Sequence, residues 1–180
     1  MSNLTALLKV PNLKIDVKGF HNMTPLHVAA AFGHERVVKM LLEAGHAPNV
    51  VDKNKFSPLH IASHLGKTKV VEELMAHGAQ VDSESQNGDT ALHLACYQDH
   101  RELAMMLVER YKAYVDSADK DHFTPLHYSC RRGYLSLILF LLEKGADPTS
   151  RNVYEDTPLH WFDSPSHTLP PFLSSSPFFT

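Results

Sequence analysis

The sequence predicts an all-α fold built from tandem helix pairs, and three observations predict it. A four-residue phrase recurs five times: Thr24-Pro25-Leu26-His27, Ser57-Pro58-Leu59-His60, Thr90-Ala91-Leu92-His93, Thr124-Pro125-Leu126-His127 and Thr157-Pro158-Leu159-His160. The copies are spaced by 33, 33, 34 and 33 residues, a period that marks a repeat architecture. Each copy reads as a helix start, and behind the first four a second apolar stripe follows with helical period.

The first helix of each repeat begins on a hydroxyl residue, which accepts from a free backbone N–H of the first turn. Proline comes next in four copies, where its fixed φ fits and no N–H is missed. Small residues follow at fixed places: Ala29-Ala30, Ala62-Ser63, Ala95-Cys96 and Ser129-Cys130. They let neighbouring repeats approach closely. Gly33, Gly66 and Gly133 are expected to close this helix in the left-handed region, with Asp99 in the same place in the third repeat. The second helix carries Val37-Val38 and Leu41-Leu42, then Val70-Val71 and Leu74-Met75, Leu103-Ala104 and Leu107-Val108, and Leu137-Ile138 and Leu141-Leu142. Gly45, Gly78 and Gly145 end three of these helices; the third has Tyr111-Lys112-Ala113, with one extra residue, and a longer or distorted end is expected there.

Thr-Pro-Leu-His-x-Ala at this period is the signature of ankyrin repeats, and the chain resembles that family over about residues 17–162. The resemblance implies a curved solenoid of helix–turn–helix units, with β-turn fingers projecting before each phrase. It divides the chain into a remnant of a preceding repeat (1–16), four repeats (17–49, 50–82, 83–116 and 117–149), a truncated fifth (150–163) and a tail (164–180). In the remnant, Ile15-Asp16 aligns with Val81-Asp82 and Val115-Asp116, and Leu7-Leu8 would be the stub of an outer helix. In the fifth repeat, Trp161-Phe162-Asp163 replaces the expected small residues. The tail holds four Pro and five Ser in 17 positions, which predicts disorder. Neither end has an evident polar cap, so a truncated form of a longer protein is expected. A narrower resemblance, to the ankyrin region of the troponin-I-interacting kinases, rests on the extra residue before Val115-Asp116, on His122-Phe123-Thr124-Pro125-Leu126-His127 and on Asn152-Val153-Tyr154-Glu155-Asp156-Thr157-Pro158. It implies a regulatory array beside a kinase domain, but no Gly-rich loop, Val-Ala-Ile-Lys or Asp-Phe-Gly segment stands in this sequence.

Composition narrows the functional classes. The 180 residues carry a formal net charge of −3, and the 17 Lys and Arg are scattered, so nothing resembles a phosphate-gripping block. No apolar run is long enough to span a membrane, and Met1 to Lys9 do not read as a signal peptide. With two cysteines, Cys96 and Cys130, a reducing compartment is expected: the cytoplasm, with the nucleus as the second choice. Chemistry finds little footing. The phrase histidines lie one repeat apart, roughly 10 Å, whereas zinc needs ligands at about 2 Å. His60 and His64 are the one local pair worth testing. By the resemblance, the phrase histidines are structural and bond near the adjoining finger. Cys96 and Cys130 take the place of Ala30 and Ser63 and read as small buried residues, too far apart for a disulfide, whose Cα atoms must lie within about 7 Å. No catalytic residue, metal ligand or cofactor is assigned.

The expected function is therefore protein–protein interaction, as a scaffold or adaptor in signalling, by a monomer that binds no nucleic acid and does not insert into a membrane. An alternative is a non-functional truncated product. In similar proteins the partner lies against the finger tips and the open face of the first helix. The residues assigned to this groove by their offset from the phrase are Phe20, Met23, Phe32, Phe56, His64, Leu65, Tyr97, Gln98, Phe123, Arg131, Arg132 and Tyr154. Six of them are large aromatics expected to be exposed, a residue class that dominates interface energetics. The Arg131-Arg132 pair suits a carboxylate-bearing segment; solvated surface charges are the plainer reading.

Overall fold

The computed structural model describes residues 18–162, which form four helix–turn–helix pairs with no strand among them. The inner helices are α1 (Pro25–Ala31), α3 (Pro58–His64), α5 (Ala91–Tyr97) and α7 (Pro125–Arg132). The outer helices are α2 (Glu35–Glu43), α4 (Thr68–Ala76), α6 (Arg101–Glu109) and α8 (Leu135–Glu143). Each inner helix packs on the next, and a short 3-10 turn at Pro158–Trp161 packs on α7.

The small pairs of the inner helices are buried, which lets consecutive inner helices touch through their backbones' near surroundings. One apolar cluster runs through the stack from Leu26 to Ala146. No single repeat could enclose such a core alone, so each depends on its neighbours.

The turns follow the sequence closely. Asp99 adopts φ 56° where Gly33, Gly66 and Gly133 stand in the other repeats. Only Gly66 is required there for space as well, since a Cβ would meet the His100 ring at 2.6 Å. The extra residue of the third repeat does not lengthen α6, which has nine residues like the other outer helices. It distorts the helix end instead. Tyr111 N–H donates to the Met106 carbonyl (3.3 Å), Ala113 N–H reaches back six residues to Leu107 (2.9 Å), and Lys112 turns to φ 61°.

At the far end the chain makes its fifth finger and helix start, then leaves the described region after Phe162. Trp161 does not stand in for the small pair. It lies four residues after the capping Thr157, where Val28, Ile61, Leu94 and Tyr128 lie in the other repeats, and it is buried. The assignments made for 1–16 and 164–180 fall outside the described residues.

Candidate functional site

The second to fifth fingers are tight turns closed by a side chain at the base, where the first has Gly19. Asp52 Oδ1 accepts from the N–H groups of Asn54 (2.8 Å) and Phe56 (2.9 Å), and Asp119 Oδ1 accepts likewise from Asp121 and Phe123. Asn152 and Ser85 do the same in the fifth and third fingers. Neighbouring fingers are then joined through their backbones. Lys53 N–H donates to His21 O, Gln86 to Asn54, Lys120 to Asn87 and Val153 to Asp121, all between 2.8 and 3.0 Å. The result is a continuous, internally bonded row of tips.

The phrase histidines fasten this row to the helices. Nδ1 of His27, His60, His93 and His127 accepts the backbone N–H of the capping residue, at 3.1 Å in each case. Nε2 reaches the next finger's carbonyl: Phe56, Asp89, Phe123 and Asp156, at 3.0 to 3.2 Å. A carbonyl only accepts, so Nε2 carries the proton and the ring is neutral. Burial agrees, holding His60 and His93 down at about 4 and lowering His27 and His127 as well. The ladder is thus a structural device, as the family resemblance implies. His64, one turn from His60, bonds Gln98 Nε2 at 3.0 Å, and both ring nitrogens of His60 are engaged by Ser57 and Asp89. Among the described residues no three of His, Cys, Asp or Glu converge to hold a metal. Cys96 and Cys130 are buried, unpaired thiols, and burial pushes them up to about 12 and about 11.

This geometry redraws the groove. Of the six aromatics assigned to the open surface, Phe20, Phe32 and Tyr154 are exposed, while Phe56, Tyr97 and Phe123 are buried. Phe56 and Phe123 occupy the residue before the helix cap. Their carbonyls take the histidine bond and their N–H groups the finger bond, so the side chain is turned inward. There Phe56 clusters with Ile61, and Phe123 lies 5.7 Å from the Tyr128 ring. Each pairing joins the residue before the cap to the fourth helical residue, a hydrophobic staple. That pattern was available in the sequence and would have placed both rings in the core. Tyr97 is covered from the next repeat by Tyr128 (6.0 Å) and by the Arg132 guanidinium (5.2 Å). His64 is likewise buried, stacked on Tyr97, so its assignment to the open surface is also corrected.

The rest of the assigned residues divide by depth. Met23, Leu65, Gln98 and Arg131 are half-buried; Arg131 lies over the Trp161 ring at 5.2 Å. Arg132 is exposed and donates from Nε to the Tyr134 hydroxyl at 3.1 Å. The eighth residue after each cap forms one row along the stack, exposed at Phe32 and Arg132 and half-buried between them at Leu65 and Gln98. The exposed tips beside it include Phe20, Lys53, Lys55, Gln86, Lys120 and Tyr154. The sequence reading passed over Lys55, whose only signal is that it aligns with Gly88 in the third finger. The row is apolar at its first repeat, where Phe32 is 65% exposed, and cationic at its fourth.

A family model describing ankyrin repeats in three copies matches the chain twice, over residues 2–85 and 59–152. No curated protein matches the chain.

Proposed function

The chain belongs to the ankyrin-repeat family, whose members generally serve as protein–protein interaction modules, and from that premise we propose that it docks an extended segment of a partner protein along its finger and inner-helix groove. One observation carries the reading. Stacking buries three of the six assigned aromatics, yet leaves Phe20 and Phe32 at 79% and 65% exposure in the first repeat and Tyr154 at 65% in the fifth finger. Large aromatics left in water mark contact surfaces. Charge favours an acidic segment. Lys53, Lys55, Lys120 and Arg132 are exposed along the tips and row, against Asp121 and Glu155. The fingers are bonded to one another and to the helices, so the groove is preorganised and little ordering entropy is lost on docking.

The test uses the full chain as bait, beside Phe20→Ala/Phe32→Ala/Arg132→Ala, with far-ultraviolet spectra and melting compared first. These side chains are exposed, so the variant keeps the fold. A partner held by the parent chain, lost by the variant and weakened by salt supports the groove. A partner held equally by both chains excludes it.

A further inference from the structure

The third finger differs from the second and fourth at each joint. Asp89 lies beneath it where they have Phe56 and Phe123, and Gly88 makes its left-handed turn where they have Lys55 and His122. Its inner helix begins Thr90-Ala91, where theirs begin Ser57-Pro58 and Thr124-Pro125. Proline confines the residue before it to extended backbone, so Thr90 is the freer junction. The carboxyls at this seam are also unequally served. Asp119, at the base of the fourth finger, takes the N–H groups of Asp121 and Phe123 on Oδ1 and the Tyr128 hydroxyl on Oδ2 at 2.7 Å. Asp89 is fully buried and takes one side-chain donor, the Ser85 hydroxyl, on Oδ2, while its Oδ1 has none. It is faced by Asp119 and Asp121 of the fourth finger, by Tyr128 of α7 and by His60 of α3, with His93 of α5 capping Thr90 beside it. Asp52 of the second finger is tied into its own turn, and Lys53, Lys55 and Lys120 on the flanking tips are exposed. Both histidines are neutral, so no buried cation answers a charge on Asp89. The donors thus make Asp119 the anion and leave the proton on Asp89.

We propose that the third finger is a proton-operated latch on the docking groove, seated while the Asp89 carboxyl is neutral and released from the neighbouring fingers once it is charged. Its bearing on docking rests on the function proposed above. A buried carboxylate with an unpaired oxygen and acidic neighbours is costly, and water is the nearest relief. The finger can lift as one unit, because Ser85 N–H donates to the Asp89 carbonyl at 2.9 Å within it. Its ties to the surroundings are Gln86 N–H to Asn54 O (2.8 Å), Lys120 N–H to Asn87 O (2.9 Å) and His60 Nε2 to Asp89 O (3.0 Å). The histidine tie has a substitute at hand, since the Ser83 carbonyl lies 2.9 Å from the same nitrogen. Lifting carries the carboxylate into water and parts the row of tips between the second and fourth fingers. Burial, which raises Asp89 to about 7, sets the change near neutral pH.

The experiment follows amide hydrogen exchange by NMR in the full chain at pH 6 and pH 8. The Gln86 and Lys120 N–H groups report the tip bonds of the third finger. The Lys53 and Val153 N–H groups report tip bonds that it does not make, and they cancel the ordinary rise of exchange with pH. A carboxyl that titrates at about 4 in the open finger and about 7 in the seated one shifts the opening equilibrium about tenfold over this range. The expected result is a gain of about that size in the exchange of Gln86 and Lys120 relative to Lys53 and Val153. Asp89→Asn and Asp89→Phe abolish the gain; the second variant sets under the finger the ring that the second and fourth already carry. Equal behaviour of all four amides overturns the proposal, and so does a gain that survives in Asp89→Asn. No partner is present in the sample, so a chain that docks nothing still reveals the latch, and the two readings fail separately.

Discussion

The second and fourth fingers close on Phe56 and Phe123, and the third closes on Asp89. All three residues hold the same place before the helix cap, all three give their carbonyl to a buried histidine, and all three are buried. The backbone role is therefore separable from the side chain. What changes is what lies beneath the finger. The phenylalanines fill it with a ring packed on the inner helix, whereas Asp89 fills it with a carboxyl. Asp89 Oδ2 accepts from the Ser85 hydroxyl at 2.8 Å, and its Oδ1 is buried without a hydrogen-bond partner. The repeat scaffold absorbs a polar group at a core position because the finger is already fixed by its own bonds. The cost appears as a displaced ionisation: burial raises Asp89 to about 7.

The sharpest break in that comparison comes from removing a ring. Phe123 lies between Tyr128, Trp161 (5.1 Å) and Tyr154 (6.3 Å), at the seam of the third, fourth and fifth repeats. Phe123→Ala is expected to cost about 4 kcal/mol, the loss typical of a buried phenylalanine. Urea denaturation checks it. A loss near that of a surface substitution would mean that the finger bonds alone hold the seam.

Next in size is the pH dependence that distinguishes Asp89 from the phenylalanines. Its native pKa lies above the unfolded value, so the native state binds the extra proton between about pH 4 and 7. Its contribution to stability is present in acid and lost as pH rises through 7. His60, His64 and His93 act in the opposite sense, because burial holds them near 4. The unfolded chain binds their protons first, and stability falls as pH drops from about 6.5 towards 4. Asp89→Asn isolates the first slope. Relative to the parent chain the variant is expected to gain stability steadily from pH 4 to 7, by up to about 3 kcal/mol, and to gain no more above that. Melting at half-unit pH steps reads it. A flat difference would show that the carboxyl is ionised in the folded chain.

How far the sequence led depends on which force decides each position. The period, the caps, the left-handed turns and the histidine role are set by interactions within one repeat or its nearest neighbour, and identical residues recur where identical geometry does. The groove was read less well because exposure is decided by side-chain volume from the next repeat. Tyr97 sits on the face that is open in a single repeat, but Tyr128 and Arg132 close over it. Phe56 and Phe123 were misplaced for a different reason: their offset from the phrase marks the finger, and only their pairing with Ile61 and Tyr128 reveals the staple.

A smaller effect tests whether the third finger depends on its backbone fit, lacking the ring. Gly88 has φ 87°, and a Cβ there would meet Lys120 N at 2.9 Å and Asp119 Cα at 3.0 Å. Gly78 has the same φ of 87° with nothing within 4 Å. Gly78→Ala is expected to cost about 1 kcal/mol for the left-handed backbone alone. Gly88→Ala is expected to cost about 2 kcal/mol, since the neighbouring finger must also move. Equal losses in thermal unfolding would show that the fingers yield freely.

The smallest effect on stability belongs to the residue expected to matter most for binding. Phe32 follows α1 at the head of the row, 65% exposed, and its ring stacks on His34 at 5.9 Å. Phe32→Ala is expected to change stability by less than about 0.5 kcal/mol, as surface substitutions do. The contrast with Phe123 is the point: two phenylalanines in the same scaffold, one holding repeats together and one left over by them. A large loss at Phe32 would mean that its ring is part of the fold, and the groove would then lose its apolar anchor. A negligible loss with weakened partner binding separates the two roles, because a side chain that contributes nothing to stacking is retained at no structural gain and is free to serve recognition.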